Sequence, residues 1–137
     1  MNQPVTSEPR RVAVIDDEED VLTFVRIALE DAGYAVATVS RSTEALSVLE
    51  AFRPDLVLLD VLMPEQMGLS LYTELRAHPA LGATPVLFLT GLNAREDVAL
   101  LTRAAAPPAG YLEKPIDAPS LLAAVRRVLA GGTGDPR

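Results

Sequence analysis

The stretch from Asp55 to Pro64, which reads Asp-Leu-Val-Leu-Leu-Asp-Val-Leu-Met-Pro, constrains the fold more than any other part of the chain. Its consecutive apolar residues 56–59 show no polar alternation, which is typical of a strand buried on both faces in a parallel sheet. Open α/β sheets bind their ligands beyond the carboxyl ends of their strands, so Asp60 stands where such a fold places chemistry. An aspartate at a strand end more often caps the next turn, and the rest of the sequence must decide between these interpretations.

Segments on both sides of this stretch repeat the pattern of a short apolar run followed by helical spacing. The apolar runs predict strands at 12–15, 34–39, 56–60, 85–90 and 110–113. Apolar residues at helical spacing predict helices around 21–32, 43–52, 69–75, 94–105 and 118–129. Right-handed crossovers wind such units into a parallel sheet with helices on both faces. The sequence therefore predicts a doubly wound α/β domain with five strands and five helices.

Local signals place the ends of several predicted helices. Gly33 is positioned to stop the first helix, and either Ser42 or Thr43 is positioned to cap the second. Pro54 ends the second helix because the residue before a proline disfavours the α region. Asp117 is the predicted cap of the last helix.

Composition limits the classes of function open to the chain. Its 137 residues suit one domain, for which we expect bounds of 10–130 between a disordered tail at 1–9 and a flexible tail at 131–137. The absence of cysteine is compatible with a cytoplasmic location, and no segment is long and apolar enough for membrane insertion. A net charge of −7 argues against direct binding of nucleic acid, which requires a basic patch.

Polar residues end four of the predicted strands. Asp16 and Asp17 follow the first strand, and Asp60 ends the third. Thr90 ends the fourth strand, and Lys114 follows the fifth. Because parallel strands present their carboxyl ends at one edge, we expect these side chains to meet there. Carboxylates so close repel one another unless a cation neutralises them, and oxygen ligands without His or Cys favour Mg²⁺.

Such a cluster suits the transfer of a phosphoryl group. An aspartate nucleophile can accept the group, and a metal ion, an ammonium and a hydroxyl would stabilise the charge on its oxygens. Lys114 is the only lysine in the sequence and would supply the ammonium. The acids at 18–20 are explained as the start of the first helix. His78 precedes a proline in a loop without acidic neighbours and is assigned no function.

Four motifs in order resemble the receiver domain of two-component response regulators, including the stand-alone receivers of the chemotaxis type. They are Ile15-Asp16-Asp17-Glu18, the stretch from Pro54 to Pro64, the strand-ending Thr90, and Gly110-Tyr111-Leu112-Glu113-Lys114-Pro115. The resemblance extends from Arg11 to Ala130. It implies a flavodoxin-like fold in which Asp60 accepts a phosphoryl group from a sensor histidine kinase or a phosphotransfer protein.

The resemblance also implies a ligand set for the metal. Mg²⁺ would be bound directly by Asp17, Asp60 and the backbone carbonyl of Leu62, and through water by Asp16. The other roles are those of a switch: Lys114 would pair with the phosphoryl group, Thr90 would follow it, and Tyr111 would change rotamer.

The chain departs from the family pattern at three places. Residues 63–68 read Met-Pro-Glu-Gln-Met-Gly, which lacks the usual acid before the glycine. Leu62 and Leu92 are apolar where many members carry polar groups, so we expect a long-lived phosphoprotein. Pro107-Pro108 replaces a customary Gly-Ala, which predicts that the fourth helix ends by about Ala105.

The interpretation favoured by these observations is a phosphoacceptor response regulator that signals through a changed protein-binding face. Its downstream partner is unidentified, a homodimer is a further candidate assembly, and its only catalysis would be its own phosphorylation and slow dephosphorylation. One alternative is a receiver-like interaction module that works without phosphate. Another is a Mg²⁺-dependent aspartyl phosphohydrolase, but such an enzyme needs a second acid two residues after the nucleophile, and Leu62 occupies that position.

Overall fold

A computed structural model of the chain describes residues 8–61, 68–91 and 107–131. Within these ranges there are five strands: β1 at Arg11–Ile15, β2 at Ala35–Val39, β3 at Leu56–Asp60, β4 at Val86–Thr90 and β5 at Gly110–Glu113. The same ranges contain four helices: α1 at Glu19–Asp31, α2 at Ala45–Phe52, α3 at Gly68–Ala77 and α4 at Ala118–Leu129. The helix predicted at 94–105 lies outside the described residues, as does its predicted end near Ala105. Both predicted tails also lie outside them, apart from residues 8 and 9 and Gly131.

The five strands form one sheet in the order β2-β1-β3-β4-β5, and every neighbouring pair is parallel. This confirms the predicted doubly wound α/β architecture. The register aligns the strand ends, since Ile15 lies opposite Val39 and Leu59, while Thr90 lies opposite Glu113. The chain segments that leave β1, β3, β4 and β5 therefore emerge side by side at one edge of the sheet.

Two apolar clusters, one for each face of the sheet, form the core. Alternate residues of a strand point to opposite faces, so Val57 and Leu59 join one cluster while Leu56 and Leu58 join the other. All five residues of β3 are buried, and so are those of β4. This is the burial predicted for the unbroken apolar run of β3, and it fixes Asp60 at the rim of a rigid element.

The capping prediction for α2 was wrong, whereas that for α4 is confirmed. Ser42 and Thr43 lie inside a 3-10 turn at Ser42–Glu44, and no side chain caps either that turn or α2. The 3-10 turn runs directly into α2, so Glu44, the residue before Ala45, has a helical rather than an extended backbone. At α4, the carboxylate of Asp117 accepts a 2.8 Å hydrogen bond from the Ser120 backbone N–H.

Helix α2 is followed by Arg53, which has a left-handed backbone conformation. Pro54 comes next, and a residue before a proline disfavours the right-handed α region. Arg53 has a φ of 55° and a ψ of 66°, and its backbone N–H donates to the carbonyl of Leu49 at 2.9 Å. Its own carbonyl accepts from Nε of Arg11 at 3.0 Å. Gly33 has a φ of 100° after α1, which is the helix stop that the sequence predicted.

His78 organises the turn between α3 and β4. Its Nδ1 accepts from the backbone N–H groups of Ala80 at 3.0 Å and Leu81 at 3.2 Å. Two donors directed at Nδ1 place the ring proton on Nε2, which lies 2.8 Å from Oε2 of Glu50 and donates to it. His78 therefore ties α2 to the α3–β4 turn at the edge opposite the strand-end aspartates. Among the described residues, no helix is long and apolar enough to cross a membrane.

Candidate functional site at the carboxyl edge of the sheet

Three carboxylates converge where β1 and β3 end. Asp16 and Asp17 follow β1, Asp60 is the last residue of β3, and their nearest oxygens all lie within 4.8 Å of one another. Asp16 is fully buried, Asp60 is 5% exposed and Asp17 is exposed. The structure therefore brings together the three acids that the sequence predicted at this edge.

Asp16 is held in place by backbone and side chain. Its N–H donates to the carbonyl of Val39 at 3.0 Å, which extends the ladder between β1 and β2 by one residue. Its Oδ1 accepts from the N–H of Glu18 at 2.9 Å and so shapes the turn into α1. The other oxygen, Oδ2, faces the cluster and lies 2.8 Å from Nζ of Lys114.

Lys114 reaches this cluster from the end of β5. Its backbone N–H donates to the carbonyl of Thr90 at 2.7 Å, which anchors the residue beside β4. Its Nζ also lies 2.8 Å from Oε1 of Glu18 and 3.4 Å from Oδ2 of Asp60. Burial of the ammonium opposes its charge, but the carboxylates of Asp16, Glu18 and Asp60 outweigh that effect and raise the pKa of Lys114. Lys114 therefore carries a positive charge at neutral pH.

The net negative charge of the cluster favours the binding of a metal ion. One ammonium faces the carboxylates of Asp16, Asp17 and Asp60, so a net negative charge remains among oxygen donors alone. Hard divalent cations such as Mg²⁺ prefer such a donor set and dehydrate reluctantly, so they suit a site with one exposed side. The exposed Asp17 provides that open side, and the residues present fit the ion. Leu62, predicted to add its carbonyl, lies outside the described residues.

Thr90 and Tyr111 lie on the same face of neighbouring strands. Tyr111 is opposite Phe88, which is two residues before Thr90 on β4, and alternate residues of a strand share a face. The rings of Tyr111 and Phe88 pack edge to face with centroids 5.9 Å apart, and Phe88 packs in the same way on Tyr72 of α3 at 4.9 Å. A row of three rings thus links β5 to α3 beneath Thr90, which is 1% exposed.

An apolar cavity of about 480 Å³ opens beside Lys114. Val21 and Phe24 of α1 line one wall, Ile116 lines another, and Glu18 and Lys114 stand at its polar end. Phe24 is 40% exposed although it is a large apolar side chain. The cavity therefore presents an apolar surface beside Lys114.

Two features of the site were missed by sequence reasoning. Glu18 was assigned to the start of the first helix, and its contact with Lys114 joins residues 96 positions apart, which no local pattern can reveal. The ring of Tyr72 was predicted only as part of a helix face. Its edge-to-face packing against Phe88 depends on how α3 crosses the sheet. Because the chain has few aromatic residues, the presence of these two was a signal from which the contact could have been predicted. Leu92, expected to flank the site, lies outside the described residues.

Comparison with known proteins gives this arrangement a context. Residues 12–126 match the family model described as the response regulator receiver domain. The alkaline phosphatase synthesis transcriptional regulatory protein PhoP of Bacillus subtilis is 33% identical over 120 residues, which make up 88% of this chain and 48% of that protein. Protein Rrf1 of Nitratidesulfovibrio vulgaris is 30% identical over 122 residues, covering 89% of this chain and 84% of that one.

Solved structures show the same fold. The chemotaxis protein CheY4 of Vibrio cholerae superposes with a TM-score of 0.80 at 29% identity, covering 88% of this chain and 98% of that one. A putative response regulator from Chloroflexus aurantiacus superposes with a TM-score of 0.79 at 30% identity, covering 89% and 98%. The chain thus spans about half the length of PhoP and nearly all of each of these two structures.

Proposed function

The chain belongs to the response regulator receiver family, whose members are phosphoacceptors of two-component signalling, and from that premise we propose that Asp60 is its phosphoacceptor. The observation that carries the proposal is the position of Asp60 at the end of β3, with a carboxylate oxygen 3.4 Å from Nζ of Lys114 and within the cluster of Asp16 and Asp17. A nucleophile needs such neighbours to offset the charge of an incoming phosphoryl group.

In the proposed reaction, a carboxylate oxygen of Asp60 attacks the phosphorus of a phosphohistidine. A bond forms between that oxygen and phosphorus, the bond from phosphorus to the histidine nitrogen breaks, and the nitrogen retains the electron pair. The product is an acyl phosphate on Asp60 and a histidine free to take up a proton. Asp60 is 5% exposed, and this burial limits the access of water to its carboxylate.

Asp16, Asp17 and Asp60 would hold Mg²⁺, with the carbonyl of Leu62 as a further ligand by family resemblance. The ion would supply positive charge to the oxygens of the transferred group. One oxygen of Asp16 is engaged by the N–H of Glu18. Only its second oxygen is directed at the cluster, which suits a ligand acting through water.

Lys114 and Thr90 would respond to the new charge. The ammonium of Lys114 pairs with a phosphoryl oxygen, and the hydroxyl of Thr90 donates to another. Movement of Thr90 frees space on the face that it shares with Tyr111, so Tyr111 rotates inward. The two residues are joined by the pairing of β4 with β5, which supports their assignment as the switch.

The wider biochemical setting follows from this assignment. The phosphodonor is a sensor histidine kinase or a phosphotransfer protein, and the output is contact with another protein or with a second copy of the chain. Catalysis is confined to self-phosphorylation and slow self-dephosphorylation, and the reaction takes place in the cytoplasm. We assign the receiver domain to residues 10–130, which encloses the family match at 12–126.

The two alternatives are less well supported. A module that works without phosphate would have no need of a charged Lys114 facing the two buried acids Asp16 and Asp60, and that arrangement is present. A phosphohydrolase needs its second acid at the position of Leu62.

The test is phosphorylation by acetyl phosphate in the presence of Mg²⁺, followed by intact mass. We expect the wild type to gain one phosphoryl group and Asp60→Asn to gain none. Asp55→Asn is the matched control, because Asp55 precedes the same strand but faces the opposite edge, where it accepts from the N–H of Arg11 at 2.7 Å. Labelling that persists in Asp60→Asn would refute the assignment.

A further inference from the structure

Among the residues that the structure describes, Glu18 is the one carboxylate touching Lys114 that lies outside the proposed metal cluster. Nζ of Lys114 is 2.8 Å from Oε1 of Glu18, as close as it is to Asp16 and closer than it is to Asp60. The side chain of Glu18 is 59% exposed, whereas those of Asp16 and Asp60 are almost completely buried. Lys114 is thus shared between the floor of the site, made by the two buried aspartates, and its rim, made by Glu18.

The backbone at both ends of this contact is fixed. The N–H of Glu18 donates to Oδ1 of Asp16, and its carbonyl accepts from the N–H groups of Val21 and Leu22 in the first turn of α1. The N–H of Lys114 donates to the carbonyl of Thr90. The two Cα atoms therefore hold their separation while the side chains exchange partners, so the ammonium can move between rim and floor without any change of fold.

We propose that Glu18 is a positioning residue that holds the ammonium of Lys114 at the rim and competes with the phosphoryl group on Asp60 for it. This inference rests on the proposed function. A divalent cation on Asp16, Asp17 and Asp60 offsets the charges that draw Lys114 to the floor, and Glu18 is then the remaining carboxylate in contact with the ammonium. Phosphorylation of Asp60 must draw the ammonium of Lys114 away from Glu18. The contact between Glu18 and Lys114 therefore sets how readily Asp60 accepts a phosphoryl group.

The chain offers a direct readout because Lys114 is its only lysine. Protein grown with lysine labelled by ¹³C at Cε gives one side-chain NMR signal, which reports on the surroundings of the Lys114 ammonium. Glu18→Gln keeps the size of the side chain and removes its charge. Glu19→Gln is the matched control, because it removes the same charge one residue later, from the first turn of α1.

We expect the lysine signal of Glu18→Gln to differ from that of the wild type with and without Mg²⁺, and that of Glu19→Gln to coincide with the wild type. After addition of beryllofluoride, a stable mimic of the phosphoryl group, the signals of all three proteins should converge. We also expect acetyl phosphate to label Glu18→Gln about two- to fivefold faster than the wild type, the range set by loss of one largely exposed ion pair. Glu19→Gln should label at the wild-type rate.

Three results would overturn the inference. They are a lysine signal that is the same in wild type and Glu18→Gln, a labelling rate unchanged by Glu18→Gln, and equal acceleration by the two glutamine variants, which would indicate general charge rather than contact. Absence of labelling in every protein would overturn the proposed function instead, and the role of Glu18 in phosphoryl transfer would fall with it. The NMR comparison without beryllofluoride would still decide whether Glu18 holds Lys114.

Discussion

At the scale of single residues, the site is a cluster of like charges held together by the fold. Asp16 and Asp60 are buried, Asp17 stands beside them, and Lys114 offsets only part of their charge. Their convergence was predictable because each acid follows a short apolar run that could only be a strand. The contact of Lys114 with Glu18 was not predictable, since it depends on two long side chains meeting across the edge of the sheet.

Repulsion within this cluster gives a prediction for stability. Asp17→Asn removes one of three neighbouring charges, so we expect a higher free energy of unfolding than that of the wild type in the absence of divalent ions. Mg²⁺ should stabilise the wild type by about 1.4 kcal/mol at ten times its Kd, and the variant by much less at the same concentration. Urea unfolding with and without Mg²⁺ measures both effects.

The control is Asp20→Asn, which removes an exposed acid from the first turn of α1 and leaves the cluster intact. It should keep the full response to Mg²⁺ and lose a little stability, because an acid near a helix N-terminus is favourable. An Asp17→Asn protein that responds to Mg²⁺ like the wild type would remove Asp17 from the ligand set.

At the scale of elements, the strands and the ends of most helices could be inferred from local chemistry. Asp117 was identified as a cap because its position before Pro119 and Ser120 leaves few other roles for it. Ser42 and Thr43 were misassigned because the same residue types also enter 3-10 turns, and only backbone angles distinguish these cases. His78 was assigned no function because its partner, Glu50 of α2, is 28 residues away in the sequence.

The cap of α4 gives a prediction that depends on pH. Hydrogen bonds from the N–H and the hydroxyl of Ser120 lower the pKa of Asp117 below its ordinary value of 3.8. A lowered pKa means that the contribution to stability is present above pH 3.8 and disappears as the pH falls through the folded-state pKa. We therefore expect Asp117→Ala to unfold more easily than the wild type at neutral pH, with a difference that shrinks in strong acid.

Asp117→Asn separates charge from hydrogen bonding in this experiment. Its amide oxygen can still accept from the N–H of Ser120, but it does not ionise. The difference in unfolding free energy between Asp117→Asn and Asp117→Ala should therefore stay constant from neutral pH to below pH 3.8. A constant difference between wild type and Asp117→Ala over the same range would contradict the assignment of this pKa shift.

At the scale of the whole molecule, the site lies at the carboxyl edge of the sheet, whereas the two apolar clusters lie on its two faces. The fold class and the five strands of the sheet could be predicted from five apolar runs that alternate with segments of helical spacing. The neighbours of each strand did not follow from composition, because several orders of five parallel strands satisfy the same pattern, and the family resemblance implied only a flavodoxin-like fold. The aromatic row from Tyr111 to Tyr72 required the three-dimensional crossing of α3 over β4.

This separation predicts that stability and phosphorylation can be altered independently. Leu29 of α1 belongs to one cluster and Leu49 of α2 to the other, and both are fully buried. Leu29→Ala and Leu49→Ala should each lower the free energy of unfolding by about 2–5 kcal/mol, because each leaves a cavity. Both side chains belong to the apolar clusters and not to the group of strand-end carboxylates, so the rate of labelling by acetyl phosphate should remain at the wild-type value at temperatures where the variants are folded.

Urea unfolding and intact mass test the two halves of this prediction on the same samples. A variant that is folded by circular dichroism yet labels several times more slowly would show that the site depends on the packing beneath it.

The pairing of β1 with both β2 and β3 affects how the chain acquires its structure during synthesis. The first three strands to leave the ribosome are neighbours in the finished sheet, so residues 11–60 can associate before the rest of the chain exists. Strands β4 and β5 then add to one growing edge in the order in which they are translated. Every pairing spans a crossover rather than a hairpin, which makes each step slow, but none has to wait for a later segment or displace an earlier one. Asp16, Asp17 and Asp60 belong to or border the three strands that come first in the chain, whereas Lys114 follows the last strand, so the acidic edge can form before the ammonium that partly neutralises it is in place.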